Sequence, residues 1–151
     1  MAKEIISGLF LGNAENAKDI AWMKENDIAT VVCCMTDDET RFAQLYSGYY
    51  NTVGITWFNI NVDDTEDEQI SAHFDSTYDL ITDHRSQGKN IMIHCRQGIS
   101  RSATIVLAYL IREKKWTRRQ AIEFVSRISP IIDPNDSFMD QLKEWELHCT
   151  R

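Results

Sequence analysis

Residues 94–102 place a cysteine and an arginine, Cys95 and Arg101, six positions apart around a glycine. The run 89–93 before them predicts a short buried strand, and the run 102–111 after them predicts an apolar helix. The first N–H groups of a helix have no intrahelical partner and carry a partial positive charge, so they bind anions. This arrangement predicts a phosphate-binding loop with a nucleophile at its base.

Five side chains of the loop have distinct expected tasks. Cys95 lies where a helix N-terminus and a cation favour the thiolate, which is the nucleophilic form of cysteine. Arg101 can hold two phosphate oxygens with its planar guanidinium. Gly98 supplies the positive φ, or the close backbone approach, that a tight cradle needs. The Ser102 hydroxyl is expected to donate to the sulfur, and His94 to orient the loop from behind it.

The backbone N–H groups of the loop are expected to surround the phosphate. The residues that we expect to contact substrate are Arg96, Gln97, Gly98, Ile99, Ser100 and Arg101. Gln97 gives this site a polar rim.

A second chemical group is needed, because an alkoxide or phenoxide leaves phosphorus slowly unless its oxygen gains a proton. Residues 57–65 predict an alternating strand that runs into an acidic loop containing Asp63 and Asp64. Loop geometry alone does not choose between these two neighbours. The other carboxylates of the segment are expected to be solvated residues near a helix N-terminus.

The loop and its flanks resemble the extended signature of the dual-specificity branch of the cysteine-dependent protein phosphatases. The matching residues are His94-Cys95-x-x-Gly98-x-Ser100-Arg101-Ser102, followed by Ala108-Tyr109-Leu110-Ile111. Residues 8–13 resemble the opening of that family and residues 134–142 resemble its closing segment. The resemblance therefore covers nearly the whole chain.

The resemblance implies the remaining roles. In the family the general acid lies on an acidic loop upstream of the cysteine, which assigns the task to Asp64, 31 positions before Cys95, with Asp63 as its competitor. Asn135 is similar to an asparagine that braces the active-site loops in the family. An equally good explanation for an asparagine at this position is that it interrupts the chain just before a helix begins. The implied reaction is hydrolysis of phosphotyrosine and phosphoserine or phosphothreonine in phosphorylated proteins. It proceeds through a cysteinyl-phosphate, with no metal and no cofactor.

Strands that alternate with helices predict an α/β fold, in which helices flank a central, mostly parallel sheet and the site lies at the carboxyl ends of the strands. A chain of 151 residues with 43% hydrophobic residues is expected to form one domain over residues 1–151. The predicted elements are a strand pair over 5–11, a helix over 13–25, a strand over 28–34, a helix over 37–46, an irregular connection over 47–55, a helix over 67–87, a helix over 117–128 with a capping box, and a last helix that begins at Asp136 or Ser137.

Charge, hydropathy and cysteine content limit the partners and the compartment. The formal net charge of −7 disfavours nucleic acid and anionic membranes as partners. The longest apolar run, 103–111, is too short to span a bilayer. Four cysteines, two of them adjacent as Cys33-Cys34, form no disulfide framework. We therefore expect a reducing compartment, the cytoplasm or the nucleus.

Several alternatives concern the same loop. A phosphoprotein-binding module that has lost turnover would lack the cysteine, the arginine or the acid, and all three are present. An arsenate reductase or a rhodanese-like sulfurtransferase is disfavoured by the Ser100-Arg101-Ser102 ending and by Asp64. A phosphatase for phosphoinositides or for RNA 5′-phosphates is a further alternative, and the lack of lysine inside the loop disfavours the lipid.

The cysteines raise two other questions, a zinc site and a protective disulfide. The pairs His94-Cys95 and His148-Cys149 lack the spacing of a structural zinc site, so no metal is expected. Cys33 or Cys34 could form a protective disulfide with an oxidised Cys95. Core packing is the favoured interpretation of Cys33 and Cys34.

Overall fold

The structure, a computed structural model, describes residues 2–41 and 44–150, and it leaves out the side chains of residues 44–47. Its strands are β1 (Lys3–Ile6), β2 (Leu9–Gly12), β3 (Ile28–Cys33), β4 (Thr56–Asn59) and β5 (Asn90–His94). They form a sheet in the order β1-β2-β5-β3-β4, in which β1 and β2 are antiparallel and the other three pairs are parallel. The predicted α/β fold with a mostly parallel sheet is confirmed.

Helices cover both faces of the sheet. The α-helices of the described residues are α1 (Ile20–Glu25), α2 (Gln44–Thr52), α3 (Phe74–Ser86), α4 (Arg101–Lys114), α5 (Arg118–Ile128) and α6 (Asp136–Cys149). The central strand β5 shows the two layers, because successive side chains of a strand point to opposite faces. Ile91 and Ile93 join the core under α3 to α6, while Met92 joins the smaller core under α1 and α2. All three are fully buried, as is typical of a parallel strand covered on both faces.

Helix α4 lies at the centre of the larger core. Every residue from Arg101 to Ile111 is buried, because α4 packs between the sheet and its neighbours α3, α5 and α6. Trp145 of α6 donates its indole N–H to the Ala108 carbonyl at 2.9 Å. The start of α4, which carries the end of the predicted loop, is therefore held by the core.

The prediction of one continuous helix over 13–25 is wrong. A 3₁₀ helix spans Asn16–Lys18, and α1 begins only after Asp19, whose side chain caps it. The side-chain oxygens of Asn13 and Asn16 each accept the other residue's backbone N–H at 2.9 Å. These local bonds compete with helical hydrogen bonds, so the chain turns before the helix starts.

The segment between β3 and β4 also differs from its prediction. It begins with a short 3₁₀ helix, Glu39–Arg41, where a helix over 37–46 is predicted, and residues 42–43 lie outside the described residues. Helix α2 continues through part of the segment 47–55, which the prediction leaves irregular. Tyr50 explains this difference, because it is buried and its hydroxyl donates to a backbone carbonyl of the first 3₁₀ helix. This tertiary packing outweighs the weak local helix propensity.

The helix predicted over 67–87 begins later than expected. Residues Ile70–His73 form a 3₁₀ helix, and α3 starts only after it. The Gln141 side chain holds this turn, since it accepts from the Ser71 N–H at 3.0 Å and donates to the Glu68 carbonyl at 2.9 Å.

The ends of the last two helices agree with their predictions. Thr117 and Gln120 form the predicted capping box of α5. Helix α6 begins at Asp136, and Asn135 is its N-cap. In residues 2–41 and 44–150, no helix is long and apolar enough to cross a membrane.

Candidate active site

The loop between β5 and α4 curls around the Cys95 sulfur. Strand β5 ends at His94, α4 begins at Arg101, and Cys95 between them is almost completely buried. Its Sγ accepts from the Gly98 N–H at 3.2 Å and from the Ser102 hydroxyl at 3.1 Å. The sulfur therefore lies at the base of the loop with two donors directed at it.

Gly98 has a conformation that other residues adopt only with strain. Its φ is +72°, and a Cβ added to it would lie 3.0 Å from the Gly12 carbonyl oxygen. The left-handed backbone and the close approach of β2 both require glycine at this position. The turn that directs the Gly98 N–H back to the sulfur depends on this residue.

The Arg101 guanidinium is held by a carboxylate that the sequence did not reveal, Glu39. Nη1 donates to Glu39 Oε1 at 2.6 Å, and Nη2 donates to Oε2 at 3.0 Å. Nη1 also donates to the Val62 carbonyl at 3.0 Å. The Arg101 and Glu39 side chains are only 7% and 20% exposed, so the pair is largely shielded from water.

This pairing leaves one edge of the guanidinium open. Of the five N–H groups of Arg101, those on Nε and the second on Nη2 have no acceptor among the residues that the structure describes. These two groups point the same way from one edge of the planar group. Such an edge fits two oxygens of a phosphate.

Glu39 is fixed by its own turn as well as by Arg101. Its N–H donates to Thr36 Oγ1 at 3.2 Å, and its Oε1 accepts from the Thr36 N–H at 3.0 Å. The Thr36-x-x-Glu39 spacing is that of a capping box, and it is the one feature of the sequence that could have drawn attention to Glu39. The spacing indicates a turn, but it does not connect Glu39 to an arginine 62 positions away. The hydrogen bond from Arg101 is the main reason that the pKa of Glu39 falls from 4.5 to about 2. Burial disfavours the charge of Arg101, yet Glu39 outweighs burial and the pKa of Arg101 is raised.

Asp63 and Asp64 are both exposed at the mouth of the loop, but different contacts hold them. The Asp63 carboxylate accepts from the Asp64 N–H at 2.8 Å, within its own turn. The Asp64 carboxylate accepts from the side-chain amide of Asn135 at 2.9 Å. Only Asp64 of the two is thus linked to another element by its carboxylate in the described structure.

Asn135 connects three parts of the site. Its N–H donates to Ser100 Oγ at 3.1 Å in the phosphate loop, and its side-chain amide donates to Asp64. Its side-chain oxygen accepts from the Phe138 N–H at 2.9 Å and so caps α6. Bracing the loops and starting a helix are therefore not competing roles, because one side chain makes both sets of contacts.

These residues surround a cleft of about 330 Å³ beside the carboxyl end of β5. The residues that line it are Glu39, Asp63, Asp64, Cys95, Arg96, Gln97, Ile99, Ser100 and Arg101. Arg96 and Gln97 are exposed at its rim. The other predicted site residues lie outside the walls. Gly98 and Ser102 contact the sulfur, and His94 and Asn135 support the loop.

His94 is buried directly beneath the loop, with 2% of its surface exposed. Its Nδ1 donates to the Cys95 carbonyl at 3.2 Å, which identifies Nδ1 as the protonated nitrogen because a carbonyl only accepts. Burial lowers the pKa of His94 from 6.5 to about 4. The ring is therefore neutral at pH 7.

Cys33 is the last residue of β3, beside the loop, and Cys34 follows it. The Cys34 N–H donates to the His94 carbonyl at 2.8 Å, so Cys34 lies opposite Cys95 across the parallel ladder. Burial raises the pKa of Cys33 to about 12, and it raises that of Cys34 well above 9.0. Both are protonated thiols of the core at neutral pH. Among the described residues, no three His, Cys, Asp or Glu side chains are grouped so that they could hold a metal ion.

A thiol at the base of a tight loop between a strand and a helix, an arginine with an open edge and a carboxylate at the mouth define the architecture of a cysteine-dependent phosphatase. Residues 9–148 match the family described as "Dual specificity phosphatase, catalytic domain". The chain belongs to this family, whose members are hydrolases.

Relatives in sequence and in structure agree with this assignment. The chain is 30% identical over 145 residues to mouse "Protein phosphatase Slingshot homolog 3", and 34% identical over 152 residues to the Dictyostelium discoideum "MAP kinase phosphatase with leucine-rich repeats protein 3". These alignments cover 96% and 97% of this chain. The crystal structure of DUSP15 matches with a TM-score of 0.84 and 31% identity over 96% of this chain and 86% of that one.

A human tyrosine phosphatase-like serine/threonine/tyrosine-interacting protein has the same fold, with a TM-score of 0.87 and 27% identity over 99% of this chain and 98% of that one. The chain spans only 21% of the length of the mouse Slingshot relative and 16% of the Dictyostelium relative. These matches therefore concern only a part of those larger proteins.

Proposed function

We propose that this chain is a metal-independent protein phosphatase that hydrolyses phosphotyrosine and phosphoserine or phosphothreonine through a cysteinyl-phosphate. The observation that carries the proposal is the convergence of Cys95, the open edge of Arg101 and the Asp64 carboxylate on one cleft. A module that only bound phosphoproteins would need the anion-binding part of this set but neither a nucleophile nor an acid.

Phosphate binding would use the backbone N–H groups of the loop and the open edge of Arg101. The phosphate oxygens would accept from the N–H groups of the loop and from Nε and Nη2 of Arg101. The thiolate of Cys95 would be held by the hydrogen bonds from Gly98 and Ser102. Arg101 and the amides balance the charge of the phosphate, so the mechanism has no step that requires a metal.

Two in-line displacements would follow. In the first, Cys95 Sγ attacks phosphorus, the bond from phosphorus to the leaving oxygen breaks, and Asp64 gives its proton to that oxygen. In the second, water attacks the cysteinyl-phosphate while the Asp64 carboxylate takes its proton. The S–P bond breaks, inorganic phosphate forms, and the hydrogen bond from Ser102 supports the departing thiolate.

The contacts of the two aspartates support Asp64 as the acid. The Asp63 carboxylate is used by its own turn, where it accepts from the Asp64 N–H. The Asp64 carboxylate is held by Asn135, which is also bonded to Ser100 of the phosphate loop. The acid and the loop that binds phosphate are thus positioned by one residue, as proton transfer to a bound substrate requires.

Phosphorylated proteins are the proposed substrate class. The loop contains no lysine, and the chain carries a net charge of −7, which disfavours an anionic membrane surface. The named relatives are protein phosphatases, which supports the same class. Turnover through a free thiol requires a reducing compartment, such as the cytoplasm or the nucleus.

Hydrolysis of an aryl phosphate in the presence of a chelator tests the mechanism. We expect turnover to persist in chelator, to be blocked by vanadate and to vanish in Cys95→Ser. Asp64→Asn is expected to lower kcat by roughly 10²-fold, the scale of general acid catalysis, and Asp63→Asn serves as the matched control. Loss of activity in chelator would contradict the metal-free mechanism, and a larger effect of Asp63→Asn would move the acid to its neighbour.

Matched phosphopeptides test the substrate class. Three peptides that differ only in carrying phosphotyrosine, phosphoserine or phosphothreonine should all release phosphate, and Cys95→Ser should abolish release from each. Activity confined to a phosphoinositide or to an RNA 5′-phosphate would refute the assignment to proteins.

A further inference from the structure

A second cavity, of about 440 Å³, lies beside the phosphate cleft and shares two wall residues with it, Glu39 and Arg96. Its other lining residues are Ala14, Ala17, Lys18, Met35, Asp38, Tyr50, Trp57 and His94. The proposed chemistry does not use this cavity. Its walls come from the segment after β2, the segment after β3, helix α2, strand β4 and the end of β5.

The cavity has an apolar floor and a charged rim. Tyr50, Met35 and Ala17 are buried, and Trp57 is half-buried beside them. The Tyr50 hydroxyl donates to the Ala17 carbonyl, which fixes this residue in the floor. The exposed residues at the rim are Lys18, Asp38 and Arg96. Concave apolar surface with a few polar groups at its edge is typical of a ligand-binding site.

The walls of the cavity are held in place by the same backbone that forms the phosphate site. The Ala14 N–H donates to the Arg96 carbonyl at 3.1 Å, which ties the segment after β2 to the phosphate loop. Trp57 lies on β4 in register with Val31 of β3. Glu39, which separates the two cavities, is fixed by its bonds to Arg101. The cavity and the cleft are therefore parts of one preformed surface.

We propose that this cavity binds an apolar side chain, such as leucine or phenylalanine, that lies within about three residues of the phosphoresidue in the substrate protein. The inference rests on the proposed function, because the phosphoresidue must occupy the adjoining cleft. An extended chain advances about 3.3 Å per residue, so a near neighbour of the phosphoresidue can reach a cavity that shares two walls with the cleft. The floor is mainly apolar, so an apolar side chain that enters the cavity leaves water on binding.

A peptide fits this surface better than a membrane lipid. The walls of the cavity carry two carboxylates, Asp38 and Glu39, and two cations, Lys18 and Arg96, so they have no excess of positive charge, and the chain has a net charge of −7. Such a surface has no net electrostatic attraction for an anionic lipid headgroup layer. An acyl chain in the cavity is thus the competing outcome of the experiment.

Two aromatic residues on β4 provide matched variants. Trp57 lines the cavity, while the next residue, Phe58, points to the opposite face of the strand, does not line the cavity and is 47% exposed. Trp57→Ala removes an apolar wall, and Phe58→Ala removes a similar amount of aromatic surface elsewhere. Ala14→Leu fills the cavity from its edge and offers a second variant if Trp57→Ala does not fold.

The experiment compares phosphopeptides that carry leucine, phenylalanine or serine at each position from three before to three after the phosphoresidue. For the wild type, we expect at least one apolar position to raise kcat/KM about tenfold over serine, which corresponds to about 1.4 kcal/mol. Trp57→Ala or Ala14→Leu should reduce this ratio to about twofold or less, and Phe58→Ala should retain it. The Kd values of the same peptides for Cys95→Ser should show the same preference without any turnover.

Failure of this inference can be distinguished from failure of the proposed function. If the wild type hydrolyses the aryl phosphate but shows equal kcat/KM and Kd for all flanking residues, the cavity is not a substrate subsite. If turnover is absent but Cys95→Ser still prefers the apolar peptides, the proposed function fails and the cavity assignment stands. If a dispersed phosphoinositide with acyl chains is preferred over its soluble headgroup, and Trp57→Ala removes that preference, the cavity binds lipid and the peptide assignment is overturned.

Discussion

Replacing Glu39 with glutamine perturbs the ion pair that holds the phosphate-binding arginine. The variant keeps the shape of the side chain and an acceptor for Arg101, but it removes the negative charge. An almost fully buried guanidinium then loses the partner that balances it. We expect a less stable protein and slower hydrolysis of an aryl phosphate, because Arg101 can turn away from the position that presents its Nε and Nη2 edge.

The pKa of Glu39 sets the size of the stability change. The pKa of the Glu39 carboxyl falls from 4.5 to about 2 on folding, and each pKa unit corresponds to about 1.36 kcal/mol. Glu39 therefore contributes at most about 3.4 kcal/mol to the free energy of unfolding at neutral pH. The Glu39 side chain is still 20% exposed, so water screens part of this interaction. We therefore expect E39Q to lose about 1 to 2 kcal/mol, which lowers Tm by roughly 3 to 8 °C in a chain of this size.

The same pKa predicts how the difference depends on pH. The folded-state pKa of Glu39 lies below its unfolded value, so its contribution is complete above about pH 4.5 and is lost as the pH falls toward 2. The difference in unfolding free energy between the wild type and E39Q should be full at pH 7 and about half as large at pH 3. Other titrating groups are common to both proteins and cancel in this comparison.

Urea unfolding at pH 7 and pH 3 measures both effects, and Glu123→Gln is the matched control. Glu123 pairs with Arg119 on the surface, where the two side chains are 56% and 87% exposed. Its substitution should change stability by less than about 0.5 kcal/mol. The reasoning is refuted if E39Q is as stable as the wild type at pH 7, or if the difference is the same at both pH values.

Two further substitutions test the residues that support the loop. Folding lowers the pKa of His94 from 6.5 to about 4, so between these pH values the histidine binds a proton only in the unfolded state. The free energy of unfolding of the wild type should therefore fall by up to about 3 kcal/mol from this residue as the pH drops from 6.5 to 4. Urea unfolding of His94→Asn should lack that loss, and an unchanged pH dependence would contradict a buried neutral histidine. Asn135→Ala should cost about 1 kcal/mol as a lost N-cap and should also lower kcat for an aryl phosphate, because Asp64 loses its partner. Thr117→Ala, which removes the N-cap of α5, should cost similar stability and leave kcat unchanged. Equal kcat values for the wild type and Asn135→Ala would contradict the linking role of Asn135.

The parts of the molecule that could be predicted from the sequence are those with local signals. The residues around Cys95 lie in one short stretch between an apolar strand and an apolar helix, so their spacing predicts the turn, the sulfur and the helix start together. The capping box at Thr117 and the start of α6 after Asn135 are local in the same way. Strand β5 could be recognised because both of its faces are buried, which gives an unbroken apolar run.

The features that could not be predicted depend on contacts between distant segments. Glu39 faces Arg101 from 62 positions away, and its own spacing with Thr36 indicates only a turn. Helix α3 starts late because Gln141, in the last helix, holds the preceding turn. The second cavity combines residues from five parts of the chain, and Trp57 in it has the sequence pattern of an ordinary strand residue.

A chain with a net charge of −7 binds a phosphate dianion only if its positive potential is organised locally. Arg101 does not supply this potential alone, because Glu39 neutralises it and two aspartates lie at the mouth of the cleft. We therefore expect the remaining contribution from N–H groups of the loop and of the first turn of α4, such as that of Gly98, and their direction depends on the shape of the loop. That shape depends on the left-handed backbone of Gly98 and on the bond from the Asn135 N–H to Ser100. Phosphate affinity should therefore respond more strongly to changes in loop conformation than to charge substitutions on the surface, since the loop amides provide attraction that the net charge does not.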